Sequence, residues 1–196
     1  MKKPDIERVA EFMRLLHAFQ SVERVIPAPN LTRKENDVEH SYTLTMFCWY
    51  LNDALELGLN KNKLLEYGLV HDFVEVYAGD TYVFDQERKE TKHQREEEAR
   101  IRIAAEFPEF KSLHKAIERY ESQGDPEAMF VYVVDKLVPM VTNYLQNGHS
   151  WKEMNVQHEE LFALKRRTIK NHEQVRELLE QLIQEIEPRW NDFFNT

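Results

Sequence analysis

Twelve residues decide how this chain is organised: Leu69-Val70-His71-Asp72-Phe73-Val74-Glu75-Val76-Tyr77-Ala78-Gly79-Asp80. Four of them, His71, Asp72, Glu75 and Asp80, carry ionisable or metal-binding groups within a run that is otherwise apolar. An unpaired ionised group costs several kcal/mol when it is buried in an apolar environment. We therefore expect these side chains to share a partner or a metal ion.

The spacing within this stretch brings three of the four groups together. If residues 61–78 form a helix, His71 and Glu75 are four residues apart, and Asp72 and Glu75 are three apart. All three then lie over one edge of the helix. We expect Gly79 to end this helix in a left-handed conformation, which glycine adopts readily, so that Asp80 turns back over the same edge.

The composition predicts one all-α domain over residues 1–196. The chain is 42% hydrophobic and has only five glycines, and no hairpin-type turn separates alternating strands, so strands are not predicted. The two prolines in Val22–Asn30 predict a loop. Apolar periodicity predicts helices over about 6–19, 38–57, 61–78, 86–102, 110–120 and 127–146, with two more within 151–194 packed back on a core of about 20–145.

Charge and cysteine content exclude several functions. The formal net charge of −9 argues against binding to a nucleic acid polymer. No apolar run approaches the length of about 18 residues that a membrane span needs. The single Cys48 lies in an apolar run and is read as a small core residue. Met1-Lys2-Lys3-Pro4 leads into charged residues, so we expect no signal peptide and a cytoplasmic location.

Four polar groups stand out because they interrupt apolar helices: His40, His71, Asp72 and Asp135. Two imidazoles and two carboxylates form a mixed nitrogen and oxygen ligand set, which suits transition metals. The alternative is that they are unrelated core residues, each satisfied by a hydrogen bond. A basic cluster, Lys165-Arg166-Arg167, is read as a solvated helix face, with phosphate binding as its alternative.

Two segments resemble a known family. Residues 33–41, Arg-Lys-Glu-Asn-Asp-Val-Glu-His-Ser, have the form R-x-x-N-x-x-E-H-S, and residues 71–80 have the form H-D-x-x-E-x-x-x-G-D. Together with Asp135 they resemble the HD-domain superfamily of metal-dependent phosphohydrolases, and within it the YfbR-like branch of 5'-deoxynucleotidases. The resemblance covers roughly the first 145 residues and implies a helical bundle of the HD-domain type.

The resemblance also implies roles for particular residues. The ligands of one divalent transition metal ion (Mn, Co, Fe or Zn) would be His40, His71, Asp72 and Asp135. Glu75 would be the catalytic carboxylate that handles the proton of the attacking water. Asp80 would assist Glu75 or contact the substrate. Glu39 would orient a neighbouring ligand or cap its helix, a role that Asn36 could equally fill.

Arginines near the predicted loop would bind the substrate phosphate. Arg24 matches the family arginine with this role, and Arg33 lies beside the same loop. Val25 follows Arg24 where the deoxynucleotidases have a tryptophan that reads the sugar, so the sugar preference stays open. Residues 86–102 predict either a solvated helix or a lid over the site.

The function implied is release of phosphate from (deoxy)nucleoside 5'-monophosphates. Two alternatives are an HD-type hydrolase of another phosphorylated small molecule, and a non-catalytic protein that binds metal or nucleotide. Relatives in the family suggest a homodimer, for which the apolar stripe near the C-terminus would supply a surface. The alternative is that this stripe completes the core of the monomer.

Overall fold

Helices form most of residues 5–29 and 32–195, the part of the chain that this computed structural model describes. They are α1 (Ile6–Gln20), α2 (Asp37–Ala54), α3 (Lys61–Val70), α4 (Glu75–Ala78), α5 (Gln86–Glu106), α6 (Lys111–Ser122), α7 (Pro126–Leu145), α8 (His149–Glu153), α9 (His158–Ile169), α10 (Glu173–Ile186) and a final 3₁₀ turn, Glu187–Asp192. The predicted helical bundle is confirmed. Met1–Pro4, where no signal peptide is predicted, and Asn30 of the predicted loop lie outside the described residues.

A small sheet stands between α1 and α2, and the prediction of a strand-free loop there is wrong. Strand β1 (Glu23–Pro27) pairs antiparallel with β2 (Lys34–Asn36), with Glu23 opposite Asn36. The run Arg-Val-Ile favours a strand because β-branched residues suit a pleated surface. Pro27 is tolerated because it closes the strand, where its missing N–H is not needed. The sheet places Arg24 beside the first turn of α2.

The central stretch is not one helix. The helix predicted over residues 61–78 breaks, because α3 ends at Val70 and α4 begins at Glu75. Short-range bonds make a tight turn between them: Glu75 N donates to the carbonyl oxygen of Asp72 at 2.8 Å. Gly79, at a φ of 70°, ends α4 as predicted. The turn places His71 and Asp72 between two helices.

The helix α7 is the centre of the bundle, and α2, α3, α6, α9 and α10 all contact it. Asp125 caps its N-terminus by accepting from Ala128 N at 2.9 Å, and Pro126 occupies its first position. Pro139 lies inside this helix without ending it. Asp135 is therefore held at mid-helix among buried apolar neighbours, only 5% exposed.

The C-terminal helices close one side of this core. On α9, Leu161, Lys165 and Ile169 follow one another at four-residue spacing, and all three are buried. None of the helices among residues 5–29 and 32–195 is long and apolar enough to span a membrane. The division of the chain into a motif-bearing core and packed C-terminal helices stays a prediction about domains.

Candidate metal centre and active-site cavity

Four side chains from three parts of the fold converge at one point. His40 comes from α2, His71 and Asp72 from the turn after α3, and Asp135 from α7. One ligand atom of each lies within 4.8 Å of the corresponding atoms of the other three. His40, His71 and Asp135 are buried, while Asp72 is partly exposed. This spacing fits a single metal ion with a mixed nitrogen and oxygen ligand set.

Hydrogen bonding fixes the orientation of one imidazole. Nδ1 of His71 donates to the carbonyl oxygen of Gly68 at 3.0 Å, which leaves Nε2 to face the cluster. That Nε2 lies 2.9 Å from Oδ2 of Asp72, yet the angles do not make a hydrogen bond. The atom is buried and has no hydrogen-bond partner in the described part of the chain. Two atoms that coordinate the same ion lie close together in this way without a hydrogen bond between them. The residues present therefore fit a metal ion.

The protonation states of His40, Asp72 and Asp135 also suit a metal ion. Burial lowers the pKa of His40, and the charge of Arg24 lowers it further, so this imidazole is neutral as coordination requires. Burial acts to raise the pKa of Asp135, but Lys136 and the hydrogen bond with His40 bring it well below its ordinary value. The pKa of Asp72 is lowered in the same way, against burial, by His71 and Arg24. Both carboxylates are therefore ionised.

Close packing of α3 on α2 holds the two histidines together. Gly68 faces Thr45, and a Cβ atom at Gly68 would lie 2.4 Å from Oγ1 and 3.0 Å from Cα of Thr45. No larger residue fits this contact without moving one helix. Gly68 thus sets the distance between the helices that carry His40 and His71, and its carbonyl orients the His71 ring.

Arg24 lies at the metal centre, whereas Arg33 does not. Nη1 of Arg24 is 2.8 Å from Oδ2 of Asp72 and 3.2 Å from Oδ1 of Asp37. Arg24 also lines the cavity above the cluster. Arg33 is exposed and pairs with Glu39, with Nη1 2.8 Å from Oε2, outside the residues that line this cavity.

Glu75 is a buried carboxyl group beside the cluster. It is 2% exposed, and its Oε2 has no hydrogen-bond partner among the described residues. Nζ of Lys92 lies 3.7 Å from its Oε1. Burial raises the pKa of Glu75 well above its ordinary value, and the charges of Asp72 and Asp80 raise it further. Such a group can hold or accept a proton near neutral pH.

Asp80 lines the same cavity and follows the turn at Gly79. Its backbone carbonyl accepts a hydrogen bond from Nη2 of Arg88 on α5 at 3.2 Å. Lys89 and Lys92, also on α5, form part of the cavity wall. The segment 86–102 is therefore a helix at the edge of the site, consistent with its predicted position as a cover.

The cavity has a volume of about 210 Å³. Since one water needs roughly 10–15 Å³ measured this way, the space suits a small molecule. Its floor is polar and contains Arg24, Asp72, Glu75 and Asp135. Its walls are mostly apolar and come from the strand β1, the segment after Gly79, α7 and the C-terminal helices: Val25, Ile26, Tyr82, Val83, Phe84, Pro139, Met140, Trp151 and Leu161.

Residues 16–176 match a family described as HD domain. The chain belongs to the HD domain family. The 5'-deoxynucleotidase HDDC2 of Homo sapiens is 35% identical over 129 residues, which are 64% of this chain and 62% of that protein. The HDDC2 of Danio rerio is 27% identical over 76% of this chain and 72% of its own length.

A solved structure shares the fold of this HD domain. It is described as a predicted metal-dependent phosphohydrolase from Magnetospirillum magnetotacticum, with a TM-score of 0.80 and 23% identity. The match covers 96% of this chain and 99% of that one. The predicted family and fold are thereby confirmed. The chain matches a little under two thirds of the length of the human relative.

Sequence reasoning overlooked one acidic residue of this HD domain centre. Asp37 is fully buried, and burial together with the charge of Asp72 raises its pKa to about 7. Asp37 directly follows Asn36, and both are residue types that commonly cap a helix. The structure makes Asn36 the cap, in a capping box with Glu39. Because Asn36 is the cap, Asp37 has no capping function. A carboxylate without such a function three residues before His40 was the sequence signal that could have identified Asp37.

Two lysines of the site were also overlooked. Lys136 follows Asp135 within an apolar run, and its Nζ lies 2.6 Å from Oδ2 of Asp135. Like Asp135, Lys136 is a charged residue within an apolar run, and this is its signal in the sequence. Lys165 belongs to the basic cluster that was read as a solvated helix face. That interpretation is wrong for Lys165, which is 7% exposed, while Arg166 and Arg167 are exposed.

Proposed function

We propose that this chain is a divalent-metal-dependent phosphomonoesterase that releases phosphate from (deoxy)nucleoside 5'-monophosphates. The observation that carries the proposal is the convergence of His40, His71, Asp72 and Asp135 beside a cavity, whose floor contains Asp72 and Asp135 together with Arg24 and Glu75. The names of the human and zebrafish relatives supply the substrate class. We propose these four side chains as the ligands of one ion.

When bound, the ion would polarise a phosphoryl oxygen and make water a stronger nucleophile. Arg24 would neutralise charge on the phosphate. Its guanidinium lies 2.8 Å from Asp72, a proposed metal ligand, and is therefore next to the place where a phosphate bound to the ion would lie. Glu75 would accept a proton from the attacking water as its oxygen forms a bond to phosphorus. The bond from phosphorus to the 5'-oxygen breaks, and that oxygen takes up a proton, giving a nucleoside and inorganic phosphate.

Asp80 is proposed to contact the sugar side of the substrate or to assist Glu75, because it lines the cavity beside it. Val25 and Ile26 of β1 line the same cavity. An apolar wall at this position offers no hydrogen bond to a sugar hydroxyl. We therefore propose that ribose and deoxyribose substrates are discriminated weakly, by less than about a hundredfold, the limit of an apolar pocket toward an added hydroxyl.

The test is phosphate release by the purified, manganese- or cobalt-loaded protein from a panel of phosphomonoesters. Nucleoside 5'-monophosphates should be hydrolysed faster than sugar phosphates or nucleoside 3'-monophosphates. A Glu75→Gln variant, with metal content measured beside activity, serves as the control for contaminating phosphatase. If the loaded protein hydrolyses no member of the panel, the enzymatic proposal fails. Preferred hydrolysis of another phosphomonoester would replace the nucleotide as substrate.

We also retain the homodimer as a proposal. The C-terminal helix was expected either to supply its surface or to complete the core of the monomer, and α10 buries Val175, Leu179, Ile183 and Ile186 within this chain. A dimer surface therefore has to lie elsewhere. Light scattering coupled to size-exclusion chromatography would measure the mass directly.

A further inference from the structure

One lysine of the cavity differs from every other cation there. Lys165 occupies a core position on α9, between Leu161 and Ile169, and is 7% exposed. It lines the cavity that holds Asp72 and Asp135. The two sequence motifs do not reach this helix, and phosphate binding is only the alternative interpretation of the basic cluster to which Lys165 belongs.

The ammonium group of Lys165 has hydrogen-bonding capacity to spare. Its Nζ donates to the backbone carbonyl oxygen of Lys136 at 2.8 Å. An ammonium group carries three donors, so this carbonyl uses only one of them. Within residues 5–29 and 32–195, no carboxylate lies within 4.0 Å of this Nζ to pair with its charge.

The other buried or half-buried cations that line the cavity all have acidic partners. Arg24 pairs with Asp72, Asp37 and, at 3.8 Å, Glu35. Lys136 pairs with Asp135 at 2.6 Å. Lys92 lies 3.2 Å from Glu96 and 3.7 Å from Glu75.

An unpaired buried charge is costly, and this cost appears as a change in the pKa of Lys165. Burial lowers the pKa of Lys165 to about 8, and the nearby charge of Lys136 contributes in the same direction. A bound anion would remove this penalty, because it would replace the missing carboxylate. The position therefore favours a ligand with negative charge rather than a neutral group.

We infer that Lys165 binds the phosphate group of the substrate, as a second cation besides Arg24. This inference rests on the proposed function, which places a phosphomonoester in the cavity. Three carboxylates already surround Arg24, so its charge alone does not balance a phosphate dianion. The free donors of Lys165 would meet phosphate oxygens in charge-assisted hydrogen bonds.

The experiment measures binding of inorganic phosphate to the metal-loaded protein by calorimetry. Lys165→Met should raise the Kd for phosphate at least about tenfold, the loss expected when one charge-assisted hydrogen bond is removed. Lys165→Arg, which keeps the charge, should recover most of the affinity. Lys170→Met is the matched control, because Lys170 is an exposed lysine next to the same helix. It should bind phosphate as the unmodified protein does.

A merely structural role predicts a different pattern. If Lys165 only supports the fold, Met and Arg variants should both lose stability without a selective loss of phosphate affinity. Should Lys165→Met fail to fold, Lys165→Gln replaces it, because glutamine can still donate to the carbonyl of Lys136. Unchanged phosphate affinity in the folded variant overturns the inference. So does a variant that loses affinity for a nucleoside but not for phosphate, which would make Lys165 a reader of the base.

Binding of phosphate does not require turnover, so the two proposals fail separately. If phosphate affinity depends on Lys165 but no nucleotide is hydrolysed, the proposed function fails and the anion site stands. If nucleotides are hydrolysed and phosphate binds equally well without Lys165, the anion site fails and the proposed function stands. A protein that binds no phosphate at millimolar concentration also overturns the inference.

Discussion

The floor of the cavity and the part of its wall formed by α9 differ in how their buried charges are paired. At the floor and directly beside it, carboxylates, imidazoles and Arg24 lie within a few ångströms of one another, and their charges offset each other. On the wall, a backbone carbonyl is the only partner that Lys165 has among the residues the structure describes. The difference indicates that the floor is organised around a metal ion, whereas the wall is completed by a ligand from outside the chain.

Removal of the metal should give the largest effect and tests the floor. Chelation should lower phosphate release by at least about a thousandfold, because the ion supplies both charge stabilisation and an activated water. It should also lower the melting temperature, because the folded protein loses a ligand. Re-addition of manganese should restore both quantities. Activity that survives complete chelation, verified by elemental analysis, would contradict this.

Glu75→Gln should separate catalysis from metal binding. The substitution keeps the shape of the side chain but removes its ability to accept a proton, so turnover should fall by about a hundredfold to ten-thousandfold. Bound metal per chain should stay unchanged by elemental analysis. Loss of the metal would instead make Glu75 a ligand.

Gly68→Ala tests the packing that positions the floor. The added Cβ would lie 2.4 Å from Oγ1 of Thr45, so α3 must move away from α2. Overpacking of this kind costs about 1–3 kcal/mol of unfolding free energy. Metal affinity should fall as His71 moves away from His40. Gly124→Ala is the control, because its closest contact is the flexible Ser122 side chain at 3.3 Å. Equal stability of the two variants, measured by denaturant unfolding, would contradict the role of Gly68.

Lys165→Met should make the ligand-free protein more stable, by about 1–2 kcal/mol at pH 7. The pKa of Lys165 is lowered in the folded protein from its ordinary 10.5 to about 8. Between these two values the unfolded chain binds more protons than the folded chain, so stability of the unmodified protein rises with pH. The advantage of the variant should therefore be full below pH 8 and should shrink towards pH 10.5. Denaturant unfolding over this pH range measures it, and a constant difference would contradict the assignment.

Arg33→Ala should give the smallest effect. Arg33 is exposed and pairs with Glu39 outside the cavity, and exposed ion pairs contribute about 1 kcal/mol or less. Phosphate release should change by less than about fivefold, the factor that corresponds to about 1 kcal/mol. Arg24→Ala is the comparison and should lower activity far more. A large loss in Arg33→Ala would restore the prediction that this residue binds substrate.

The sequence could predict the floor because its residues break a strong pattern. His71, Asp72 and Asp135 interrupt apolar runs, and unpaired polar groups in such runs demand an explanation. The turn at His71 could not be predicted, because the apolar periodicity continues through it and tertiary packing decides where α3 ends.

The burial of Lys165 was not predicted because of the residues that follow it in the sequence. Arg166 and Arg167 are exposed, so a basic cluster suggests solvent, and only the four-residue spacing from Leu161 and to Ile169 indicates burial. The strand β1 was not predicted because Pro27 and Pro29 suggested a loop, whereas Pro27 is the last residue of the strand. In each case local composition favoured one environment and the packing of distant elements imposed another.

The most direct test of the central claim is a manganese titration of the metal-free protein, followed by electron paramagnetic resonance. The account predicts one tightly bound ion per chain in the unmodified protein and in Glu75→Gln. It predicts that His71→Ala and Asp135→Ala each lose that ion. Retention of the ion by both alanine variants would contradict the assignment of the four ligands.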